Sequence, residues 1–218
     1  MASKADGVGS PREGVIAALV GEEGSGRHPY LARLGGAESS NAMLADAVHF
    51  LCLLHGRFPG VIDHAADRVF HTDARDWIYR VTAGFAAERA FLTRLTVSVG
   101  AMPSTPGQAQ SEAAVGSQTH ALAVLSQSDR RGTALGAAFA LVAEWATVRA
   151  MLDRAARRAG VQSPPCDLPP ARDGETASAS VVAALGNDRA LAFGARQLLV
   201  QHRGLWDLLE TREAARTA

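Results

Sequence analysis

The stretch ADAVHFLCLLHGRFPGVIDHAAD, residues 45–67, places residues with metal-ligand chemistry in an otherwise apolar run. Four of them stand three positions apart: Asp46, His49, Cys52 and His55. An α-helix turns by about 100° per residue, so steps of three spread these side chains over roughly half of its circumference. The four cannot all face one ion, but Asp46 and His49 project side by side. That pair predicts either metal ligation or a buried histidine oriented by the aspartate of its own helix.

Two glutamates are predicted to point inward from long helices. Glu88 lies within about 20° of the middle of the apolar stripe on its helix. Glu144 is the only charged residue between Arg131 and Arg149, and its position on a helical wheel falls among apolar residues. A lone ionised carboxylate there would cost several kcal/mol, so it must be protonated, paired with a cation or bound to a metal.

His202 has the same inward position on the last predicted helix, where leucines and alanines surround it. The candidate buried polar cluster consists of Asp46, His49, Glu88, Glu144 and His202. Four of these are candidate ligands of iron or another transition metal, although the sequence assures no cofactor: His49, Glu88, Glu144 and His202. Glu144 is expected within hydrogen-bonding distance of at least one of the other three, with an arginine from a neighbouring helix as the rival partner.

The metal interpretation meets an objection in the sequence itself. Bundle proteins with two carboxylate-bridged metals use glutamates and Glu-x-x-His pairs on facing helices. This chain has no Glu-x-x-His pair, and Asp46-x-x-His49 occurs once, which favours a single ion over two. The competing interpretation is a satisfied polar network, in which the buried carboxylates pair with histidine or arginine and fix the register of the helices.

Composition excludes several classes of function. Basic and acidic residues number 22 each, so the chain has no net charge and lacks the excess of basic residues that nucleic-acid binding requires. Lys4 is the only lysine, which excludes a lysine Schiff base and a phosphate-loop lysine. No charge-free run reaches the roughly 18 apolar residues of a membrane span, and Cys52 and Cys166 suit a reducing compartment. The protein is therefore expected in the cytoplasm, with no nucleic-acid or membrane partner.

Glycines and prolines divide the chain. Residues 1–38 are predicted to be a loosely attached N-terminal lead-in to a helical-bundle domain over residues 39–218. The run GEEGSGR, residues 21–27, lacks the Gly-Lys-Ser/Thr ending of a phosphate loop and is predicted to be a turn. Ser39 or Ser40 can cap the first long helix.

The pattern of apolar faces and short linkers predicts an all-α fold, an antiparallel bundle of four long helices with shorter connecting helices. The long helices are predicted at about 40–56, 73–99, 132–159 and 187–216, and shorter ones at about 59–70, 111–127 and 176–186. Gly132, Gly136 and Ala140 form a ridge of small residues, which predicts close approach of a second helix.

Three stretches of the sequence resemble one family: LADAVHFLCLLHGRFPGVIDHAAD, PSTPGQAQSEAAV and SDRRGTALGAAFALVAEW. The family comprises helical proteins from alphaproteobacteria of the sphingomonad group and carries only a domain-of-unknown-function label. The resemblance covers residues 40–160 and extends weakly to LWDLLETR near the end. It implies an all-helical cytoplasmic protein and brings no activity or functional residues with it.

Three functions remain open, of which the first is favoured. The first is a non-enzymatic protein that acts through a protein partner or a small apolar ligand, with the inward charges structural. The second is a non-haem metal-dependent oxidase or hydroxylase that uses the inward carboxylates and histidines. The third is a metal-free enzyme with Glu88 or Glu144 as a general base whose pKa is raised by burial.

The stiff segment PSTPGQAQ, residues 103–110, is either a docking loop for a partner or a plain connector.

Overall fold

The computed structural model describes residues 14–217 of the protein. Its elements, in chain order, are α1 (Val15–Glu23), a 3₁₀ turn (Ser25–Arg27), α2 (Pro29–Gly35), α3 (Asn41–His55), α4 (Val61–Asp67), α5 (Thr72–Ser98), α6 (Gln108–Ser126), α7 (Thr133–Arg158), α8 (Ala171–Leu185) and α9 (Arg189–Thr217). No strand occurs between residues 14 and 217. The predicted all-α fold is therefore confirmed.

Capping residues explain where the helices begin. Ser40 precedes α3, and its hydroxyl accepts a hydrogen bond from the Met43 N–H at 3.1 Å, as the sequence predicts. α8 begins at Ala171, earlier than the predicted residue 176. Pro170 explains the difference, because it is the last proline of the linker and the residues that follow it are free to turn into a helix.

Residues 14–38 are packed into the core, in contrast to the predicted loose lead-in. Tyr30 and Leu34 are fully buried, and both α1 and α2 lie against α7 and α9. The glycines of this segment indicate loops, whereas its apolar residues form the inner faces of two short helices. The remainder of the predicted lead-in, residues 1–13, lies outside the described residues.

α7 and α9 approach each other almost backbone to backbone. A Cβ atom placed on Gly136 would lie 2.0 Å from the carbonyl oxygen of Leu191, and one placed on Gly194 would lie 2.0 Å from that of Thr133. No side chain larger than that of glycine fits at either position. The close helix approach predicted from the ridge of small residues in α7 is therefore confirmed.

The same contacts fix the direction of these two helices. The first turns of α7 and α9 touch each other, and Glu144 farther along α7 meets His202 farther along α9. α7 and α9 therefore run in the same direction, which corrects the predicted all-antiparallel bundle. The physical reason is α8, whose 15 residues span about 22 Å and return the chain toward the beginning of α7. α3 does run opposite to α9, since Asp46 contacts Arg212 while His55 contacts His202.

α7 is the central helix of the fold. By length and apolar composition it is the one helix within residues 14–217 that could cross a membrane, but 78% of its apolar window is buried inside the protein. Trp145 on α7 packs in a core that also contains Trp77 and Trp206, and each of the three is at most 1% exposed. These features are consistent with the core helix of a soluble protein.

Candidate functional site

A chain of hydrogen bonds crosses the buried centre of the molecule and joins four elements. Oε2 of Glu144 on α7 lies 3.2 Å from Nδ1 of His202 on α9. Nε2 of His202 lies 2.8 Å from Nε2 of His55 at the end of α3. On the other side of Glu144, the 3₁₀ turn supplies Ser25, which donates to the carboxylate. All four residues are buried, and His55, at 5%, is the most exposed of them. We call these four residues the buried chain.

The 3₁₀ turn is shaped to hold the carboxylate of Glu144. The Ser25 N–H lies 3.0 Å from Oε1 and 2.9 Å from Oε2, and the Ser25 hydroxyl also donates to Oε2. The indole N–H of Trp206 donates to that hydroxyl at 2.8 Å. A Cβ atom placed on Gly24 would lie 2.5 Å from Oε1 of Glu144, so a glycine is needed for the turn to come this close.

Glu144 is ionised in this environment. Burial by itself raises its pKa, but the hydrogen bond and charge of His202, together with the donors of Ser25, outweigh burial and lower the pKa below its ordinary value. This direction is opposite to the raised pKa expected from the sequence. An ionised carboxylate only accepts hydrogen bonds, so Nδ1 of His202 carries a proton.

One proton lies between the two imidazoles. With Nδ1 of His202 protonated, Nε2 of His202 either accepts from His55 or, when His202 carries a second proton, donates to His55. In the first state Nδ1 of His55 is a bare acceptor, and in the second it carries a proton and is a donor. Burial is the main cause that holds the pKa of His55 well below its ordinary value, and the neighbouring His202 lowers it further. His55 is therefore neutral in both states.

His55 forms part of the wall of a surface cleft with a volume of about 250 Å³, and we call this the His55 cleft. Within residues 14–217, the only hydrogen bond of the His55 ring is the one made by Nε2, and Nδ1 has no partner. The apolar residues of the wall are Leu54, Phe58, Pro59, Val61, Phe85, Leu122 and Ala123, and the polar ones besides His55 are Arg57, His64, Thr119, Ser126 and Gln127. The buried chain therefore ends at a residue of the cleft wall whose second ring nitrogen has no partner among the described residues.

The other end of the buried chain also reaches a cleft. Ser25 and Trp206 belong to the wall of a cavity of about 280 Å³. Both ring nitrogens of His28 in the same wall have hydrogen-bond partners. Its Nδ1 accepts from the Tyr30 N–H at 3.2 Å, and its Nε2 lies 3.0 Å from Asp207. The polar groups at this end have partners, in contrast to Nδ1 of His55.

Asp46 and Glu88 lie apart from the buried chain, in ion pairs with arginine. Asp46 accepts from Nη2 of Arg212 at 3.0 Å. Glu88 accepts from Arg149 and, at 2.8 Å, from the indole N–H of Trp145. The partner in both pairs is a guanidinium, which stays charged throughout the physiological range of pH. These two residues match the pairing of buried carboxylates with arginine that the sequence offers as an alternative, although Nη1 of Arg212 is buried without a partner among the described residues.

The structure does not bring the candidate metal ligands together. His49 is half-buried, and its Nε2 lies 2.8 Å from the carbonyl oxygen of Gly100. Glu88 is held by arginine, so only the predicted contact of Glu144 with His202 is present. Within residues 14–217, one surface group has ligand atoms close enough to share an ion: His28, Asp207 and Glu210. The geometry therefore gives no support to a metal site built from the predicted residues.

Sequence reasoning missed two members of the buried chain. The sequence pattern includes His55 as the last of four polar residues at intervals of three. A helical wheel shows only whether those four side chains lie on the same face of their own helix. Its actual partner, His202, lies 147 residues away. The run that contains Ser25 is correctly predicted as a turn, yet no local pattern indicates that its donors serve a carboxylate 119 residues away.

Comparison with protein families covers nearly all of the described chain. The model of a family of unknown function, DUF6975, matches residues 20–217. The chain belongs to this family. The match extends the resemblance seen over residues 40–160, and every member of the buried chain lies within it. No curated protein matches the sequence. Membership in the family assigns no activity to the chain.

Proposed function

We propose that the protein is a cytoplasmic, non-enzymatic protein that binds a small organic ligand in the His55 cleft. The observation that carries this proposal is the unpaired Nδ1 of His55 at the end of the buried chain. A ring nitrogen without a protein partner can accept a hydrogen bond from a ligand or donate one to it. Glu144 and His202 hold the ring through its other nitrogen, and a hydrogen-bonding group of a ligand in the cleft would supply the partner that Nδ1 lacks.

The cleft suits a ligand with a compact apolar body. Leu54, Val61, Phe85 and Leu122 are buried residues of its wall. Its volume of about 250 Å³ is slightly below the roughly 300–1,000 Å³ of typical small-molecule sites. An apolar wall with a few converging polar groups is the usual composition of such a site. We therefore expect a ligand about the size of one ring or one branched chain.

Other contacts favour a small ligand over a protein partner. The segment 103–110 is tied to the fold, because Nη2 of Arg212 lies 3.3 Å from the carbonyl oxygen of Pro103 and 3.2 Å from the hydroxyl of Thr105. This anchoring supports a connector rather than a docking loop.

The cytoplasmic location is supported by Cys52 and Cys166, which are both free thiols.

Titration with small neutral probes tests the proposal. Benzyl alcohol and isovaleramide, followed in amide proton–nitrogen spectra, are expected to shift resonances of Leu54, Val61 and Leu122. Ala123→Phe fills the cleft and is expected to abolish these shifts. Ala121→Phe, two residues away and outside the cleft wall, is the matched control. Shifts that avoid the cleft, or that persist in Ala123→Phe, would contradict the proposal.

A second candidate function is metal-free acid–base catalysis in the same cleft. The hydrogen bond between Glu144 and His202 favours it, because a carboxylate that orients an imidazole is a common arrangement in general bases. Here His55, rather than either glutamate, would exchange the proton with a substrate, since it is the member of the chain in the cleft wall. His55→Gln is then expected to lower hydrolysis of p-nitrophenyl acetate by about 100-fold. Equal rates in His55→Gln and in His120→Gln, which changes an exposed histidine, would exclude this function.

A further inference from the structure

The His55 cleft has an uneven distribution of charge. Its wall contains Arg57, His64 and His55, and none of the residues that form it is an aspartate or glutamate. Arg57 is exposed and makes no ion pair within residues 14–217. An arginine side chain has five donors and is always charged, and it binds carboxylates through two parallel hydrogen bonds. The cleft thus offers a cation without a counter-ion beside an apolar wall.

Arginine already neutralises two buried carboxylates on the elements around the cleft, and also Glu23 at the far end of the buried chain. The ion pairs are Glu23 with Arg196, Asp63 with Arg89, and Glu88 with Arg149. Glu112 on α6 has no ion pair within residues 14–217 and accepts from the side chain of Gln108 at 2.6 Å. It lines the neighbouring groove, which Arg57 also borders, and not the His55 cleft. Further titratable or charged groups lie near the ends of the buried chain. They are His120 in the groove beside the cleft, and Arg27, His28 and Arg203 in the wall near Ser25. Glu144 is the one carboxylate joined to the two imidazoles.

The proton content of the buried chain decides what His55 presents to a ligand. In the first state both imidazoles are neutral and share one proton between them, so the buried chain carries only the negative charge of Glu144. Nδ1 of His55 is then an acceptor. With one proton added, His202 is positive beside Glu144, the chain is neutral, and Nδ1 of His55 is a donor. An anion in the cleft is repelled by the first state and accepts a hydrogen bond from the second.

We infer that the ligand of the His55 cleft is a small carboxylic acid, bound as its anion between Arg57 and His55, and that binding adds one proton to the buried chain. This inference rests on the proposed function, since it names the chemical class of the ligand for that site. The added proton comes from solvent and enters at Nδ1 of His55. The proton on Nε2 of His55 moves to Nε2 of His202 as this happens. One proton is thus gained without leaving a charge on His55.

Binding of an anion and binding of a proton are then linked. Above the pH at which the free chain takes up its proton, the dissociation constant for a carboxylate rises about tenfold per pH unit, because one proton must be bound with each anion. A neutral amide of the same shape carries no charge and can accept or donate at the same position. Its affinity is expected to change less than threefold over the same range of pH.

Matched acids and amides provide the test. Acetate with acetamide, isovalerate with isovaleramide, and benzoate with benzamide are titrated into the protein by calorimetry between pH 6 and 9. Repeating each titration in buffers of different ionisation enthalpy counts the protons taken up. We expect an uptake approaching one proton for the preferred acid above the linked pH and none for its amide.

Two variants and a matched control for each locate the effect. Arg57→Gln is expected to weaken the preferred acid by at least tenfold and its amide by less than threefold. Arg94→Gln, which changes an exposed arginine on α5 outside the cleft wall, is the control and should change neither. Glu144→Gln removes the charge that holds a proton on His202, so proton uptake should disappear. His120→Gln should retain the uptake, which shows that this solvent-exposed histidine is not its source.

The outcomes separate this inference from the proposed function. If the amides bind in the cleft and the acids bind no better, or bind without proton uptake, the ligand class is wrong while the binding site stands. If uptake persists in Glu144→Gln, with the fold verified by circular dichroism, the buried chain is not the source of the proton and the inference fails. If none of the three pairs perturbs the cleft, both proposals are overturned.

Discussion

Buried carboxylates in this protein are neutralised in two different ways. Asp46 is bound by Arg212 and Arg216 at one end of α3, where the chain segment 103–105 closes over them. Glu144 is bound by an imidazole and by the donors of a turn. The cation of the first arrangement is a guanidinium, which keeps its charge at any ordinary pH, whereas an imidazole is a side chain that can gain or lose a proton.

The difference shows where a polar core is structural and where it can serve a function. The arginine pairs at Asp46 and Glu88 involve groups whose protonation does not change and join neighbouring helices. The buried chain ends instead in a cleft, at a ring nitrogen without a partner in the described part of the protein. Perturbing the arginine pairs should therefore affect stability alone, and perturbing the buried chain should affect stability and its dependence on pH.

The largest effect is expected from breaking the pair at Asp46. Asp46→Ala leaves the guanidinium of Arg212, which is 2% exposed, buried without its main acceptor. Removal of one partner of a buried ion pair costs about 3–5 kcal/mol, to be measured by urea unfolding. His49→Ala, on the same helix but half-buried, should cost much less. A loss below about 1 kcal/mol for Asp46→Ala would show that solvent reaches this pair.

A smaller loss is expected where α7 meets α9, because this contact positions Glu144 and His202. Gly136→Ala places a methyl group 2.0 Å from the Leu191 carbonyl oxygen, and overpacking of this kind costs about 1–3 kcal/mol or more. Gly116→Ala adds the same methyl group to α6 where no atom lies within 4 Å, and it should stabilise by about 0.5–1 kcal/mol. Thermal unfolding of the two variants should move in opposite directions, and equal shifts would rule out the close approach.

His55 gives the pH dependence that distinguishes the two regions. Its folded pKa is depressed by burial, while in the unfolded chain it is about 6.5. Below about pH 6.5 the unfolded chain therefore binds a proton at His55 that the folded protein does not bind. The free energy of unfolding has its full value above that pH and falls as the pH decreases. The slope reaches about 1.4 kcal/mol per pH unit.

Urea unfolding between pH 7.5 and 5 measures this slope. His55→Gln should reduce it, because the titrating group is gone, and His49→Gln should leave the contribution of His55 in place. Asp46→Asn, in the arginine-paired region, should lower stability by a similar amount at each pH in this window. A slope unchanged in His55→Gln would mean that solvent reaches the ring and that it is protonated in the folded protein.

The smallest effect is expected at the turn. Ser25→Ala removes the hydroxyl that donates to Glu144 and accepts from Trp206, but the Ser25 N–H continues to donate to both carboxylate oxygens. A single buried hydrogen-bonding group of this kind is worth about 1–2 kcal/mol. Ser117→Ala, which changes an exposed residue of α6, should be near neutral. A loss above about 4 kcal/mol for Ser25→Ala would indicate that the whole turn detaches.

The sequence predicts the helices well because their signals are local. Ser40 caps α3 as expected, and the apolar faces of α5 and α7 place those helices within two residues of their observed bounds. The relative direction of α7 and α9 was not predictable in this way, because it depends on the length of α8 and its linker. The packing of residues 14–38 was also missed, since glycines give the same local signal in a loop and in a tight contact.

The site was predictable only in part for a related reason. A helical wheel shows that Glu144 and His202 point inward, and these two do meet. It cannot show which inward residue finds which partner, so Asp46 and Glu88 were grouped with them although both are held by arginine. The role of His55 was hidden because its contact depends on the register between α3 and α9.

The docking of the 3₁₀ turn on α7 and α9 has a consequence for the order in which the protein folds during synthesis. Ser25 finds its partners 119 and 181 residues later in the chain, at Glu144 and Trp206. At translation rates of about 5–20 residues per second, the turn waits roughly 10–35 s for the last of them. During that time its apolar neighbours on α1 and α2 have no core to join, and a ribosome-bound chain halted before α9 should be cleaved by proteases within this segment. This segment is thus made long before the helices that protect it.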